Sequence, residues 1–378
     1  MGRRGCYMDR GTRRADVAER LVGHAGKDDA MMQERIEGKW IEAFAAVFRR
    51  CDVTAGLEVA ILSETQSRPV TVALAELALL ALGARPFHLV VPTPPQRAGV
   101  PVRSTGASDA LQGSKPVVGA LGQSAMVVDC TVEGLLHAPE LPQILGGGAR
   151  VLMISNEHPE ALERLVPTGD LEAKVKAGIR RLRAAKQMHV TSPSGTDLRI
   201  SLEGAAVGGG WGYTTRPGTI AHWPGGLCLC FPARGSVAGR LVMAPGDVNL
   251  TFKRYLESPI ELTIRDDYVA DIAGHGLDAE LMRSYFAAWG DRDAYAVSHA
   301  GWGMNPGARW DAMAMYDKND FNGTELRAFA GNFLYSTGAN EVAGRRTLGH
   351  FDLPLRLCTV SLDGAAVVAD GVLQGDLA

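Results

Sequence analysis

The pattern of apolar runs changes near residue 188, and that change restricts the chain to a small set of architectures. Upstream, residues 59–62, 87–91, 125–128 and 150–154 are short β-prone runs. Between them, residues 72–82, 115–122 and 132–145 have the length and periodicity of helices. Strand, helix, strand at this rhythm predicts an α/β region with a mainly parallel sheet. Charged helices follow over residues 160–186, broken at Gly169-Asp170. Downstream, residues 188–191 and 198–202 flank a Pro193-Ser194-Gly195 turn and predict a hairpin. Residues 227–231 and 240–243 flank Arg234-Gly235-Ser236 and predict another. A strand over 259–264, a helix over 279–289 and short strands from 326 to 372 complete the chain. The expected organisation is an arm over residues 1–32, predicted disordered, an α/β domain over 33–187, and an α+β domain over 188–378 with mainly antiparallel strands.

Charge excludes some partners. Lys+Arg 39 against Asp+Glu 42 leaves a net charge of -3, so there is no basic surplus to attract nucleic acid or an anionic membrane. The most hydrophobic run, residues 70–83, contains Glu76 and is too short to span a bilayer. Residues 1–32 mix both charges, lack an apolar signal core, and leave Met31 or Met32 as alternative starts. The six cysteines are scattered with no CxxC pair, which predicts a reducing, cytoplasmic setting. Cys228 and Cys230 read as two small core residues. No GxGxxG follows the first strand and no GxxxxGK[ST] occurs, which argues against a nucleotide cofactor. HExxH and GxSxG are absent too, weakening a zincin or an α/β-hydrolase reading.

What remains is a set of histidines. In His350-Phe351-Asp352, alternation along an extended strand puts the imidazole and the carboxylate on one face, with Phe351 behind them. The pair is either a core histidine bonded to an aspartate or two thirds of a 2-His-1-carboxylate metal site, which leaves open positions on a ferrous ion. A third ligand would be needed. His299, in Ser298-His299-Ala300-Gly301-Trp302-Gly303-Met304-Asn305-Pro306, is a candidate, because glycines there allow close backbone approach in a segment rich in turn formers. A capping or surface-loop histidine is the alternative.

The same segments resemble the 2,5-dihydroxypyridine 5,6-dioxygenases, ring-cleaving enzymes of bacterial nicotinate degradation. The likeness runs through Gly276-Leu277-Asp278, Met282-Arg283-Ser284-Tyr285-Phe286 and the His299 segment. It continues through Gly323-Thr324-Glu325-Leu326-Arg327, Tyr335-Ser336-Thr337-Gly338-Ala339-Asn340 and Gly349-His350-Phe351-Asp352. It covers most of the chain after the arm and is densest from His222 onward. The resemblance implies Fe(II) held by His299, His350 and Asp352. It also implies extradiol-type cleavage of the C5–C6 bond by O2 to give N-formylmaleamate, and a homo-oligomer. No reductant, flavin or 2-oxoglutarate is required, because the ring supplies the electrons.

That family is similar in architecture to the thermophilic-type metallo-aminopeptidases, which supply the alternative activity. Several peptidase ligands have no counterpart here. Leu227 follows Pro224-Gly225-Gly226 where a glutamate is expected, His299 replaces a glutamate, and Leu334 replaces a histidine. Such losses would empty a two-metal site and leave a single ion.

His137, in Gly134-Leu135-Leu136-His137-Ala138-Pro139, follows the strand that ends at Asp129, where loops at the carboxyl ends of parallel strands meet ligands. The resemblance implies an acid/base role for it. The alternative is a histidine on a partly buried helix. His222, Arg327 and Ser336 are the candidates for binding the substrate, with an ordinary salt bridge as the alternative for Arg327 and a turn residue for Ser336.

Overall fold

A computed structural model describes residues 35–96, 98–99 and 108–378; the arm expected over residues 1–32 lies outside the described residues. Residues Glu37–Ala378 form one compact unit.

The strands β1 (Glu58–Glu64), β2 (Arg85–Val91), β3 (Met126–Asp129) and β4 (Arg150–Ile154) alternate with helices, as the sequence predicts. β1, β3 and β4 are buried along almost their whole length, the pattern of parallel strands covered on both faces. Further on come β5 (Gln187–Thr191), β6 (Asp197–Ser201), β7 (Ala206–Gly210), β8 (Ile220–Trp223), β9 (Leu227–Phe231) and β10 (Val237–Met243). Then follow the short β11 (Val248–Asn249) and β12 (Arg254–Tyr255), with β13 (Ile260–Arg265) and β14 (Tyr268–Gly274). The chain closes with β15 (Val297–Gly303), β16 (Phe333–Thr337), β17 (Phe351–Leu355), β18 (Thr359–Leu362), β19 (Ala365–Ala369) and β20 (Val372–Leu373).

These strands make one parallel and two large antiparallel sheets. The parallel sheet has the order β2-β1-β3-β4-β8, so its last strand comes from beyond residue 188 and pairs with β4. The antiparallel sheets have the orders β14-β13-β10-β6-β5-β18-β19-β20 and β17-β16-β15-β9-β7. Cys228 and Cys230 are buried and free in the core that joins the antiparallel sheets. Among the described residues, no helix is long and apolar enough to cross a membrane.

Local chemistry explains the elements that frame the site. The charged stretch divides into the helices Pro159–Arg164 and Gly169–Ala184. Thr168 caps the second through Leu171 N–H, and Asp170 and Glu172 sit in its first turn, where the helix dipole favours anions.

Three local expectations are corrected. Residues 132–145 are not one helix: only Leu141–Gly146 is helical. The buried Asp129 carboxylate accepts from the N–H groups of Thr131 and Leu135, and Gly134 sits at φ +76, so the preceding stretch is held as a loop. β9 and β10 are not a hairpin: β9 pairs with β7 and β15, and β10 with β6 and β13, in different sheets. His299 lies in the fully buried strand β15 rather than in a turn-rich loop. The close approach expected of its glycines is met within the sheet, where a Cβ on Gly301 would lie 1.9 Å from the Cys228 carbonyl oxygen.

Candidate metal centre

β15, β16 and β17 lie side by side, with Ser336 opposite Asp352 in the antiparallel register. The β15–β16 register shifts between Val297 and Ala300, and this irregularity re-aims Ser298 and His299. Ser298 Oγ donates to the Ala339 carbonyl at 2.5 Å and lies 3.1 Å from His299 Nδ1. Because the hydroxyl proton is committed to that carbonyl, Nδ1 must carry the hydrogen, and the Nε2 lone pair points into the site.

His350 immediately precedes β17, and its carbonyl accepts from the buried Tyr285 hydroxyl. Phe351 turns the other way and packs on Tyr285 and Phe286 at ring distances of 4.5 and 5.5 Å. The alternation expected of the triplet is therefore present. Asp352 Oδ1 lies 3.2 Å from His350 Nε2 and 3.6 Å from His299 Nε2.

His137 arrives from the loop between β3 and the helix Leu141–Gly146. Its ring lies 4.7 Å from that of His350 and 6.0 Å from that of His299. One ligand atom from each of His137, His299 and His350 falls within 4.8 Å of the others. The structure thus gathers all three expected ligands and adds His137 beside them. Among the described residues, His137 Nε2 and His350 Nδ1 are buried without a hydrogen-bond partner.

The electrostatics favour neutral imidazoles around an anionic carboxylate. Burial, then the neighbouring His350 and His299, hold His137 well below the usual histidine value. Burial is also the main cause that brings His299 down to about 3 and, followed by the Arg327 charge, His222 to about 4. For Asp352 burial acts upward, but His350 and Arg327 outweigh it and hold the carboxyl well below the usual range. Neutral nitrogen lone pairs, a carboxylate and orphaned buried ring nitrogens together fit a divalent cation.

A cavity of about 220 Å³ opens over this cluster. Its lining includes His137, His222, His299, Asn322, Thr324, Arg327, His350 and Asp352, with apolar walls from Met153, Ile220, Leu229, Phe231 and Leu334. The volume lies below the range of about 300–1,000 Å³ typical of drug-sized ligands, which suits a single small ring.

His222 reaches the cavity from β8. Arg327 faces it too, but donates Nε–H to Asp352 Oδ2. Ser336 is fully buried behind Asp352 and donates its hydroxyl to Oδ1. Arg327 and Ser336 thus occupy both carboxylate oxygens.

Sequence reasoning passed over Ser298, Asn322 and the buried carboxylates Asp129 and Glu157. Only the last two carried a signal, as acidic residues at or just past the carboxyl ends of parallel strands.

A family model for 2,5-dihydroxypyridine 5,6-dioxygenase matches residues 39–375. The chain is similar to the 2,5-dihydroxypyridine 5,6-dioxygenase of Pseudomonas putida KT2440, with 38% identity over 334 residues, covering 87% of this chain and 94% of that one. A solved structure of the dioxygenase from the same organism superposes with a TM-score of 0.83 at 36% identity, covering 89% of this chain and 97% of that chain. AmpT from Thermus thermophilus shares the fold, with a TM-score of 0.61 at 16% identity and coverage of 89% and 99%.

Proposed function

This chain belongs to the 2,5-dihydroxypyridine 5,6-dioxygenase family, and on that premise we propose that it is a ring-cleaving dioxygenase acting on 2,5-dihydroxypyridine. The proposed reaction opens the C5–C6 bond with O2 in an extradiol manner and gives N-formylmaleamate. The observation that carries this reading is the convergence of two buried histidines and one carboxylate on a cavity sized for one small ring.

His299, His350 and Asp352 would hold Fe(II). Such an ion would supply the chemistry that activates O2 toward an ionised ring hydroxyl. The residues around it do the rest. Ser298 fixes the His299 tautomer, and Ser336 and Arg327 fix the Asp352 carboxylate, so the donors are set before substrate enters. His137, which lines the cavity with its ring 4.7 Å from that of His350, would take the proton of the ring hydroxyl at Nε2 and return it as the ring opens. His222 offers a hydrogen bond to a ring oxygen, and the remaining Arg327 donors face the polar edge of the substrate. The apolar walls exclude water from the reacting bond.

Iron(II) added to metal-free protein should restore O2 uptake with 2,5-dihydroxypyridine in a 1:1 ratio. No uptake at full iron occupancy overturns the reading. The aminopeptidase alternative has only the shared fold in its favour, and would appear as hydrolysis of aminoacyl amides without O2. Assembly into a homo-oligomer and a cytoplasmic location are proposed with the same family reading.

A further inference from the structure

Glu157 follows β4 and is 1% exposed. Its carboxylate accepts three consecutive backbone N–H groups from a distant part of the chain: Asn322 at 2.9 Å, Gly323 at 2.9 Å and Thr324 at 2.7 Å. Ser155, from the same loop, bonds the Thr324 hydroxyl at 2.6 Å. Three successive amides turned toward one carboxylate leave that backbone little freedom.

The turn so fixed leads directly to the metal centre. Asn322 Oδ1 lies 3.3 Å from Arg327 Nη1, and the Asn322 carbonyl lies 3.5 Å from the same atom. Arg327 then donates Nε–H to Asp352 Oδ2. A chain of hydrogen bonds therefore runs from the loop after β4 to a carboxylate on the antiparallel sheet. Arg164 holds the same short helix, Thr324–Ala328, through Glu325 at 2.5 and 3.1 Å, but bonds none of residues 322–324.

We propose that Glu157 is a positioning residue for the metal-binding carboxylate: it fixes the 322–324 turn, and the turn aims Arg327 at Asp352. The inference rests on reading Asp352 as a metal ligand. A glutamine at this position would keep an acceptor for Gly323 and Thr324 but would present an N–H to the Asn322 N–H, disturbing the residue whose side chain and carbonyl accept from Arg327 Nη1.

The test is anaerobic titration of metal-free protein with Co(II), a spectroscopic stand-in for Fe(II), which reads metal affinity apart from turnover. It is run on wild type, Asp352→Ala, Glu157→Gln, Arg327→Ala and the Glu157→Gln/Arg327→Ala double variant. Asp352→Ala should abolish tight binding. Glu157→Gln should weaken it about 10-fold, the lower end for outer partners of a ligand. Arg327→Ala should cost at least as much, and the double variant no more than Arg327→Ala alone, since Glu157 then has nothing to aim.

Wild-type affinity in Asp352→Ala overturns the ligand reading and the inference with it. Loss of metal in Asp352→Ala with wild-type affinity in Glu157→Gln, or losses that multiply in the double variant, overturns the role of Glu157 alone. Should Glu157→Gln fail to fold, Glu157→Asp replaces it, keeping the charge but shortening the reach. Weakening of threefold or more supports the inference, and unchanged affinity overturns it.

Discussion

The antiparallel sheet and the parallel sheet both face the cavity, but they deliver their side chains in different ways. On the antiparallel side, His299 and Asp352 stand on paired strands and His350 directly before one. Cross-strand neighbours and a buried aromatic, Phe351, support them. On the parallel side, His137 stands on a loop, and that loop is tied down by side-chain carboxylates. Asp129 accepts from Thr131 and Leu135, and Glu64 accepts from Val132 N–H at 3.2 Å. Strand pairing places donors to within the small tolerance a metal requires. A loop held at a few points suits a group that must approach, take up and release a proton. On the proposed reading, the same surface would combine a strand-borne wall for coordination with a loop-borne one for proton handling.

That contrast can be broken most sharply at Asp352. Asp352→Ala should lose iron on dialysis and turnover with it, read by metal analysis and O2 uptake; retained iron would mean that the strand wall is not the coordinating one. His137→Ala should keep its iron but lose about 10²–10⁴ in kcat, the usual worth of general acid–base help. Loss of iron instead would make the loop wall a ligand donor, as the proximity of its ring to His350 allows.

Phe351→Ala tests the scaffold behind the ligands. The side chain is fully buried, so the change should cost about 3–5 kcal/mol in denaturant unfolding, and a small cost would show that the strand wall is not rigidly backed.

Acid should act on the metal-free protein. His222 and His299 are neutral in the fold, with values of about 4 and 3, but titrate near 6.5 when unfolded. Below 6.5 the unfolded chain therefore binds more protons than the folded one. The stability of the neutral fold is complete above pH 6.5 and falls as pH drops toward 4, by about 1.4 kcal/mol per pH unit for each histidine. The unfolding midpoint should be lower at pH 5 than at pH 7, and His222→Gln should flatten that dependence. An unchanged midpoint would contradict the buried, neutral state of these rings.

Ser298→Ala should have the smallest effect. It frees the His299 tautomer and should weaken metal binding about 10-fold by titration while the fold stays intact.

Some of this was legible in the sequence and some was not. The alternation of strands and helices up to residue 154 required only local periodicity. So did the shared face of His350 and Asp352, two residues apart on an extended chain. The loop around His137 read as a helix because its apolar spacing is helical. Nothing local shows that the Asp129 side chain competes for the amides a helix would use. The supposed β9–β10 hairpin failed for a related reason: a turn sequence shows where the chain reverses, not which strands become partners.

The sequence by itself determined the alternation of strands and helices up to residue 154, the parallel character of the first sheet and the shared face of His350 and Asp352, since each follows from contacts a few residues long. Resemblance pointed to His299 as the proposed third ligand. Only the tertiary structure decided that His137 comes beside His350, that Arg327 and Ser336 hold the two oxygens of Asp352, and that Glu157 grips residues 322–324. Those contacts join segments from 16 to more than 160 residues apart, such as Ser336 with Asp352 and Glu157 with Thr324. Partners so distant in the chain leave no periodic trace in it, and are selected by how the sheets pack.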